Sequence, residues 1–140
     1  MSDRFFLDTN MFVYSFEGTS SDKGRAAVQL IRRAIATRRG VISYQVVQEF
    51  FNVALRRFAQ PMTTSEAEQY LATTFRPLLA VHSSLALYTE ALQLAQRFKL
   101  SWFDSLIVAA AIASNCDVLY SEDLQDGQEF GDLRVVNPFH

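Results

Sequence analysis

Phe5-Phe6-Leu7-Asp8-Thr9-Asn10 decides how this chain is read: three apolar residues in unbroken succession stop at an aspartate, a threonine and an asparagine. A short apolar run without polar alternation fits a strand buried on both faces. The pattern returns along the 140 residues. Gly40-Val41-Ile42 stops at Ser43, Leu78-Leu79-Ala80-Val81 follows Pro77, Val118-Leu119-Tyr120 stops at Ser121-Glu122-Asp123, and Leu133-Arg134-Val135-Val136 stops at Asn137-Pro138. Helical spacing fills the intervals. Ala26, Leu30, Ile31, Ala34 and Ile35 recur on one face, as do Val46, Val47, Phe50, Phe51, Ala54 and Leu55. Thr63-Thr64-Ser65-Glu66 reads as a capping-box start after Pro61. Leu85 to Phe98 continues the periodicity, and Ser101-Trp102-Phe103-Asp104 opens a further helix through Ala113. Strands alternating with helices predict an α/β fold with a mainly parallel sheet. Asp126 to Asp132, which holds Gly127 and Gly131, reads as a loop.

Composition points to one compact unit, residues 1–140. Hydrophobic residues make up 49% of the chain and twelve are Phe, enough for a real core, while five Gly and three Pro leave little for a long linker. Met1-Ser2-Asp3-Arg4 lacks the layout of a signal peptide, and no apolar run approaches the roughly 20 residues that span a bilayer. The single cysteine, Cys116, has no internal disulfide partner and reads as a buried, inert thiol. A cytoplasmic protein without membrane contact is expected. The net charge of −2 does not advertise a nucleic-acid binder. If five acids line one metal site, however, ten acids remain against 13 basic residues, a surplus of three positive charges. Arg32, Arg33, Arg38, Arg39, Arg56 and Arg57 come in tight groups that suit either phosphate contacts or solvated helix faces.

In an open α/β sheet, ligands bind at the carboxyl ends of the strands, and several acids map there. Asp8 follows the first strand. Asp123 follows the fourth, with Glu122 beside it. Glu49 lies just under two turns into the helix after the second strand. Asp104 sits in the first turn of the helix feeding the fourth strand, which must start at that same edge. Two helices separate the third and fourth strands, so the first of them must cross the sheet for this geometry to hold. Singly, each acid has an ordinary role: Asp8 as a helix cap, Asp104 in a capping pattern with Ser101, Glu49 on a helix surface, Asp123 in a turn. Together they repel one another unless a cation neutralises them. Carboxylates without Cys or His suit Mg²⁺ or Mn²⁺. The two histidines, His82 and His140, lack a metal-ligand spacing partner. There is no Gly-rich phosphate loop, no GxSxG elbow and no Cys/His dyad, which excludes most nucleotide-binding and nucleophilic chemistries.

Phe6-Leu7-Asp8-Thr9-Asn10 resembles the opening motif of PIN-domain nucleases. Gln48-Glu49-Phe50 resembles their second acid, Trp102-Phe103-Asp104-Ser105-Leu106-Ile107-Val108-Ala109-Ala110-Ala111 their third, and Leu119-Tyr120-Ser121-Glu122-Asp123-Leu124 with Gly127 their fourth. Each motif is weak alone; the four in order make a specific match over nearly the whole chain. Within that family the chain looks like a VapC-type toxin of a toxin–antitoxin pair. The resemblance implies a three-layer α/β/α sandwich around a mainly parallel sheet, here of four to five strands. It implies a homodimer, a VapB-type antitoxin partner, and Mg²⁺- or Mn²⁺-dependent cleavage of RNA to a 5′-phosphate and a 3′-hydroxyl. Asp8, Glu49, Asp104 and Asp123 match the catalytic, metal-holding acids; Asn10, Ser43 and Ser121 fall where polar residues support them, and Glu122 is an accessory candidate. Asp126 stands where similar sequences often carry His and is assigned to the loop.

Rival readings are a catalytically silent PIN-like binding module, a receiver-type phosphoacceptor domain and an aspartyl phosphatase. A receiver leans on a lysine near its site, and neither Lys23 nor Lys99 follows a strand end. The phosphatase would need a second aspartate two residues after Asp8, where Asn10 stands. The RNA target is not legible. The helices at 44–58 and 63–75 offer candidate dimer faces.

Overall fold

The computed structural model describes residues 2–139, so the readings of Met1 and His140 lie outside it. In chain order the elements are β1 (Phe5–Leu7), α1 (Thr9–Ser15), a 3₁₀ turn (Gly18–Ser20), α2 (Asp22–Thr37), β2 (Gly40–Ser43) and α3 (Tyr44–Ala54). There follow α4 (Thr64–Tyr70), which runs into a π turn (Leu71–Phe75), then β3 (Leu79–Val81), α5 (Leu85–Phe98), α6 (Trp102–Ala113), β4 (Val118–Tyr120), β5 (Glu129–Phe130) and β6 (Leu133–Val136). The strands form one sheet in the order β3-β2-β1-β4-β6-β5. Every pairing is parallel except that of β5 with β6.

All three residues of β1 and all four of β2 are buried. Successive strand side chains point to opposite faces, so helices cover both sides of the sheet. On one side α6 rests on β2 and β4, with α5 packed on α6; elsewhere α1 packs on α2 and α3. The fully buried Phe12, Phe50 and Phe75 meet edge to face, with ring centroids 5.0 to 5.3 Å apart, and carry the phenylalanine-rich core.

Among the described residues the sheet has six strands, where the sequence reading gave four to five. The additional strand is β5, inside the stretch read as a loop. Phe130 pairs with Leu133 across a turn in which Gly131 takes a φ of 61°, and both apolar side chains are buried. Two residues carry too little periodicity to announce a strand. Asp126 lies in the loop before it, where its carboxylate accepts from the Asn137 N–H at 2.8 Å.

The two helices between β3 and β4 find a simple arrangement. Leu87, near the start of α5, shares a cavity with Val81 and His82 at the β3 edge. Phe98, at its end, packs against Phe130 of β5 with ring centroids 4.8 Å apart. Helix α5 therefore crosses the sheet from one edge strand to the other, and α6 runs back against the strand direction. Its last turn lies near the start of β1, where the Arg4 guanidinium donates to the Ser114 carbonyl. Thus α6 begins, with Asp104, at the carboxyl edge.

Among the described residues, no helix is long and apolar enough to cross a membrane. Cys116 is buried, and that burial raises its thiol pKa, as an inert core residue requires.

At Gly40 helix α2 lies hard against β2: a Cβ there would fall 2.1 Å from the Ala34 Cβ of α2. Gly40→Ala must push α2 away from β2. Urea unfolding should show a loss of about 1–3 kcal/mol; unchanged stability would show that α2 is not seated this way.

Candidate functional site

Where β1 ends, the Asp8 backbone N–H donates to the Tyr120 carbonyl at 3.1 Å, and the Ser121 N–H donates to the Val136 carbonyl at 3.1 Å. Three parallel strands therefore finish level with one another. The Asp8 side chain turns into this junction and is 4% exposed. Its Oδ1 accepts from the Thr9 N–H at 2.7 Å and its Oδ2 from the Ser121 hydroxyl at 2.8 Å. Fully buried Ser121 in turn accepts from the Asp123 N–H at 3.2 Å, which fixes the start of the loop after β4.

Glu49 reaches the same place from the second turn of α3. Its Oε1 accepts from the Thr9 hydroxyl at 2.7 Å and its Oε2 from the Gln45 amide at 3.3 Å. Gln45 is one helical turn before Glu49 and shares its face. The same Gln45 nitrogen donates to the Phe103 carbonyl at 3.1 Å, tying α3 to the residue before Asp104. At the start of α6, Ser101 caps the helix by accepting from the Asp104 N–H at 3.2 Å. The Asp104 carboxylate does not return the favour, unlike Glu66 in the reciprocal box with Thr63. It is left facing the other acids. The Asn10 amide lies 3.3 Å from both oxygens of Asp123.

Asp8, Glu49, Asp104 and Asp123 thus line one cavity of ≈ 330 Å³, together with Thr9, Asn10, Gln45, Asn52 and Phe103. Burial drives the Asp8 pKa from the ordinary 3.8 to about 7, against the pull of the Ser121 and Thr9 hydrogen bonds, and the charges of Asp123 and Glu49 push it the same way. The Asp123 pKa is also raised, by desolvation first and then by Asp104, Glu122 and Glu49, against the Asn10 hydrogen bond.

Among the described residues, no group of three or more Asp, Glu, His or Cys closes on one point as a complete metal cage would. The donor set nonetheless suits a hard divalent cation. Mg²⁺ keeps several waters and takes only one or two direct carboxylates, and four acids around one cavity meet that demand. An ionised carboxylate has about four lone-pair sites, so Asp8 retains acceptor capacity beyond its two protein donors.

Other residues singled out in the sequence lie elsewhere. Glu122 faces away from the cavity: its carboxylate accepts from the Tyr14 hydroxyl at 2.6 Å and pairs with Lys23, which lowers its pKa. Lys23 itself lies over the Tyr14 ring. That lysine is engaged by Glu122 rather than by Asp8, unlike the lysine of a receiver domain. Ser43 is buried at the end of β2 and lines a second, neighbouring cavity. The arginines do not gather at the site. Arg33 lies over the Phe5 ring and donates to the Tyr120 hydroxyl, and Arg39 pairs with Asp3 at the amino ends of the strands. Arg57 lines a cavity that shares Val13 with the acidic one.

Sequence reading missed Thr9 and Gln45, the two residues that hold Glu49. The signal was available for both. Thr9 adjoins Asp8 at a strand end, and Gln45 precedes Glu49 by four residues on a helix.

A family model described as PIN domain matches residues 5–126. No curated protein sequence matches the chain. Among solved structures, a toxin–antitoxin complex from Klebsiella pneumoniae contains a chain 21% identical, with a TM-score of 0.69, covering 96% of this chain and 97% of that one. VapBC2 of Rickettsia felis, bound to a DNA fragment from its promoter, is 17% identical with a TM-score of 0.66 over 94% and 96% of the two chains. VapC20 of Mycobacterium tuberculosis, described as a sarcin-ricin loop cleaving toxin, is 18% identical with a TM-score of 0.60 over 85% and 89%. At these identities the likeness is one of fold.

The raised Asp8 pKa has a consequence for stability. Ionising Asp8 is harder in the folded chain, at about 7, than in the unfolded one, near 3.8. The cost is absent below about pH 4, grows between the two values and is complete above pH 7, where it reaches about 4 kcal/mol. Asp8→Asn should therefore stabilise the metal-free protein at pH 8 and change it little at pH 4. Urea unfolding at the two pH values measures this; an equal effect at both would contradict the buried-carboxylate account.

Proposed function

The chain belongs to the PIN domain family, and from that membership we propose that it is a divalent-metal-dependent endoribonuclease, the toxin of a VapBC-type toxin–antitoxin pair. The observation that carries the nuclease reading is the convergence of Asp8, Glu49, Asp104 and Asp123 on one cavity at the carboxyl edge of the sheet. The toxin assignment is supported by structural neighbours described as a toxin–antitoxin complex, as VapBC2 and as a toxin that cleaves the sarcin-ricin loop. By the same analogy the partners are a VapB-type antitoxin and a second copy of the chain, with Mg²⁺ as the cofactor and Mn²⁺ as a substitute.

In this reading Asp8 and Asp104 hold the ion, directly or through water, with Glu49 and Asp123 completing its surroundings. A bound divalent ion acidifies water at the site and offsets the charge that develops on the phosphate and leaving oxygen. The chain's own residues set the geometry. Ser121 and the Thr9 N–H orient Asp8. The Thr9 hydroxyl and the Gln45 amide hold Glu49 against the Asp104 wall. Asn10 steadies Asp123. Carboxylates above their pKa are available to a cation, so at Mg²⁺ concentrations too low to saturate the site the cleavage rate should climb as pH rises towards 7 and Asp8 loses the proton that a cation must otherwise displace.

With a generic RNA and Mg²⁺, Asp8→Asn and Asp104→Asn should each lose cleavage by roughly a hundredfold or more while remaining folded. Thr9→Val and Gln45→Ala, which loosen Glu49 without removing it, should lose about 10- to 100-fold, recoverable in part at higher Mg²⁺. Sequencing of RNA ends after brief expression, with Asp8→Asn as control, reads the target. Undiminished cleavage by both Asn variants, or metal-independent binding without cleavage by the wild type, would overturn the reading.

A further inference from the structure

Among the described residues, four side chains in the lining of the acidic cavity carry permanent N–H or O–H donors: Thr9, Asn10, Gln45 and Asn52. Three of them are turned on the protein itself. The Thr9 hydroxyl donates to Glu49, the Asn10 amide to Asp123, and the Gln45 amide to Glu49 and to the Phe103 carbonyl. Asn52 is exposed, and among the described residues its amide has no hydrogen-bond partner. We propose that Asn52 is a substrate-contacting residue, whose amide donates to a non-bridging oxygen of the RNA phosphate presented to the four acids. The proposal rests on the nuclease reading for the identity of that phosphate.

Helix α3 brings Asn52 to the site. Gln45, Glu49 and Asn52 are spaced by four and then three residues, so they share one helix face, and all three line the cavity. A phosphodiester carries one negative charge and two non-bridging oxygens that accept hydrogen bonds and donate none. Ionised carboxylates are acceptors only as well. The acids that gather a cation therefore repel the substrate and offer it no hydrogen bond. A donor has to come from elsewhere in the wall, and Asn52 is the side-chain donor left uncommitted there.

A neutral amide suits this position better than a charged donor. A Lys or Arg beside four acids would pair with them, so it would compete with the cation and turn away from the phosphate. Among the described residues no Lys or Arg lines the cavity. Arg57 stands in the adjoining cavity beyond Val13, where Glu17 and Glu66 share the lining. Asn52 has no local duty that would explain it. It lies in the last turn of α3, its side chain is bonded to nothing at the helix end, and Asn is a poorer helix former than Ala. The amide costs the helix a little and returns nothing to the fold.

Two assays on the full chain read this contact. In the first, cleavage of a generic single-stranded RNA is followed over a range of Mg²⁺ concentration. Asn52→Ala should lower kcat/KM by roughly 10- to 100-fold, the size expected when a hydrogen bond to a charged group is removed. Asn52→Asp keeps the shape but replaces the donors with negative charge, and should lower it further. In the second, anisotropy of the same RNA, fluorescein-labelled, reports binding in the cold with Ca²⁺, a hard ion of looser geometry, in place of Mg²⁺. Here Asn52→Ala should weaken binding by about fivefold or more. Urea unfolding should find Asn52→Ala at least as stable as the wild type, so that the losses are not losses of folding. Wild-type cleavage and binding by Asn52→Ala would overturn the proposal. So would an Asn52→Asp variant as active as the wild type, or a defect in Asn52→Ala that excess Mg²⁺ restores, because Asn52 would then serve the cation and not the phosphate. The two readings fail separately. Undiminished cleavage by Asn52→Ala removes the contact and leaves the nuclease standing. A wild type that binds RNA and never cuts it removes the nuclease, and the binding assay alone then decides the contact.

Discussion

The Asp8 carboxylate is held inside the protein at the junction where β1, β4 and β6 end, and the arrangement around it follows from that burial. A buried aspartate needs donors, which the Thr9 N–H and the Ser121 hydroxyl provide. Those donors fix the first residue of α1 and the loop after β4, and with them the positions of Thr9, Asn10 and Asp123. Thr9 then reaches across to Glu49, and Gln45 carries the connection on to the start of α6. Two hydrogen bonds are not enough to make the charge comfortable: the Asp8 pKa still rises to about 7. The fold therefore holds an electrostatic cost that a divalent cation would relieve, which couples stability to the proposed activity.

Much of this was legible in the sequence because strand ends are. Phe5-Phe6-Leu7 and Val118-Leu119-Tyr120 are unbroken apolar runs, each stopping at polar residues, and parallel strands put those stops at one edge. Asp8 and Asp123 followed from that pattern. Asp104 followed from the requirement that α6 begin at the same edge, once α5 was free to cross the sheet. Glu49 was harder, since its position depends on how far α3 leans over the strand ends, and the resemblance to the PIN family carried it.

Other features lay beyond a linear reading. Glu122 and Asp123 are adjacent, and no spacing rule says which faces the cavity; Tyr14 and Lys23, distant in sequence, draw Glu122 away. Ser43 sits at a strand end like Asp8, but its hydroxyl is buried without a partner among the described residues, and beside it the register of β2 shifts against β3 between Ile42 and Ser43. Strand β5 has two residues and no period to detect. The paired arginines looked alike in sequence and were separated by tertiary structure, with Arg33 committed to the Phe5 and Tyr120 rings.

The central claim, that these four acids form a divalent-cation site built around a partly protonated Asp8, is tested most directly by calorimetric titration of Mn²⁺ in buffers of different ionisation enthalpy. The account predicts saturable binding that releases close to one proton at pH 6, where Asp8 is mostly protonated, and almost none at pH 9, with binding lost in Asp104→Asn. Absence of saturable binding, or proton release that does not change between the two pH values, would contradict it.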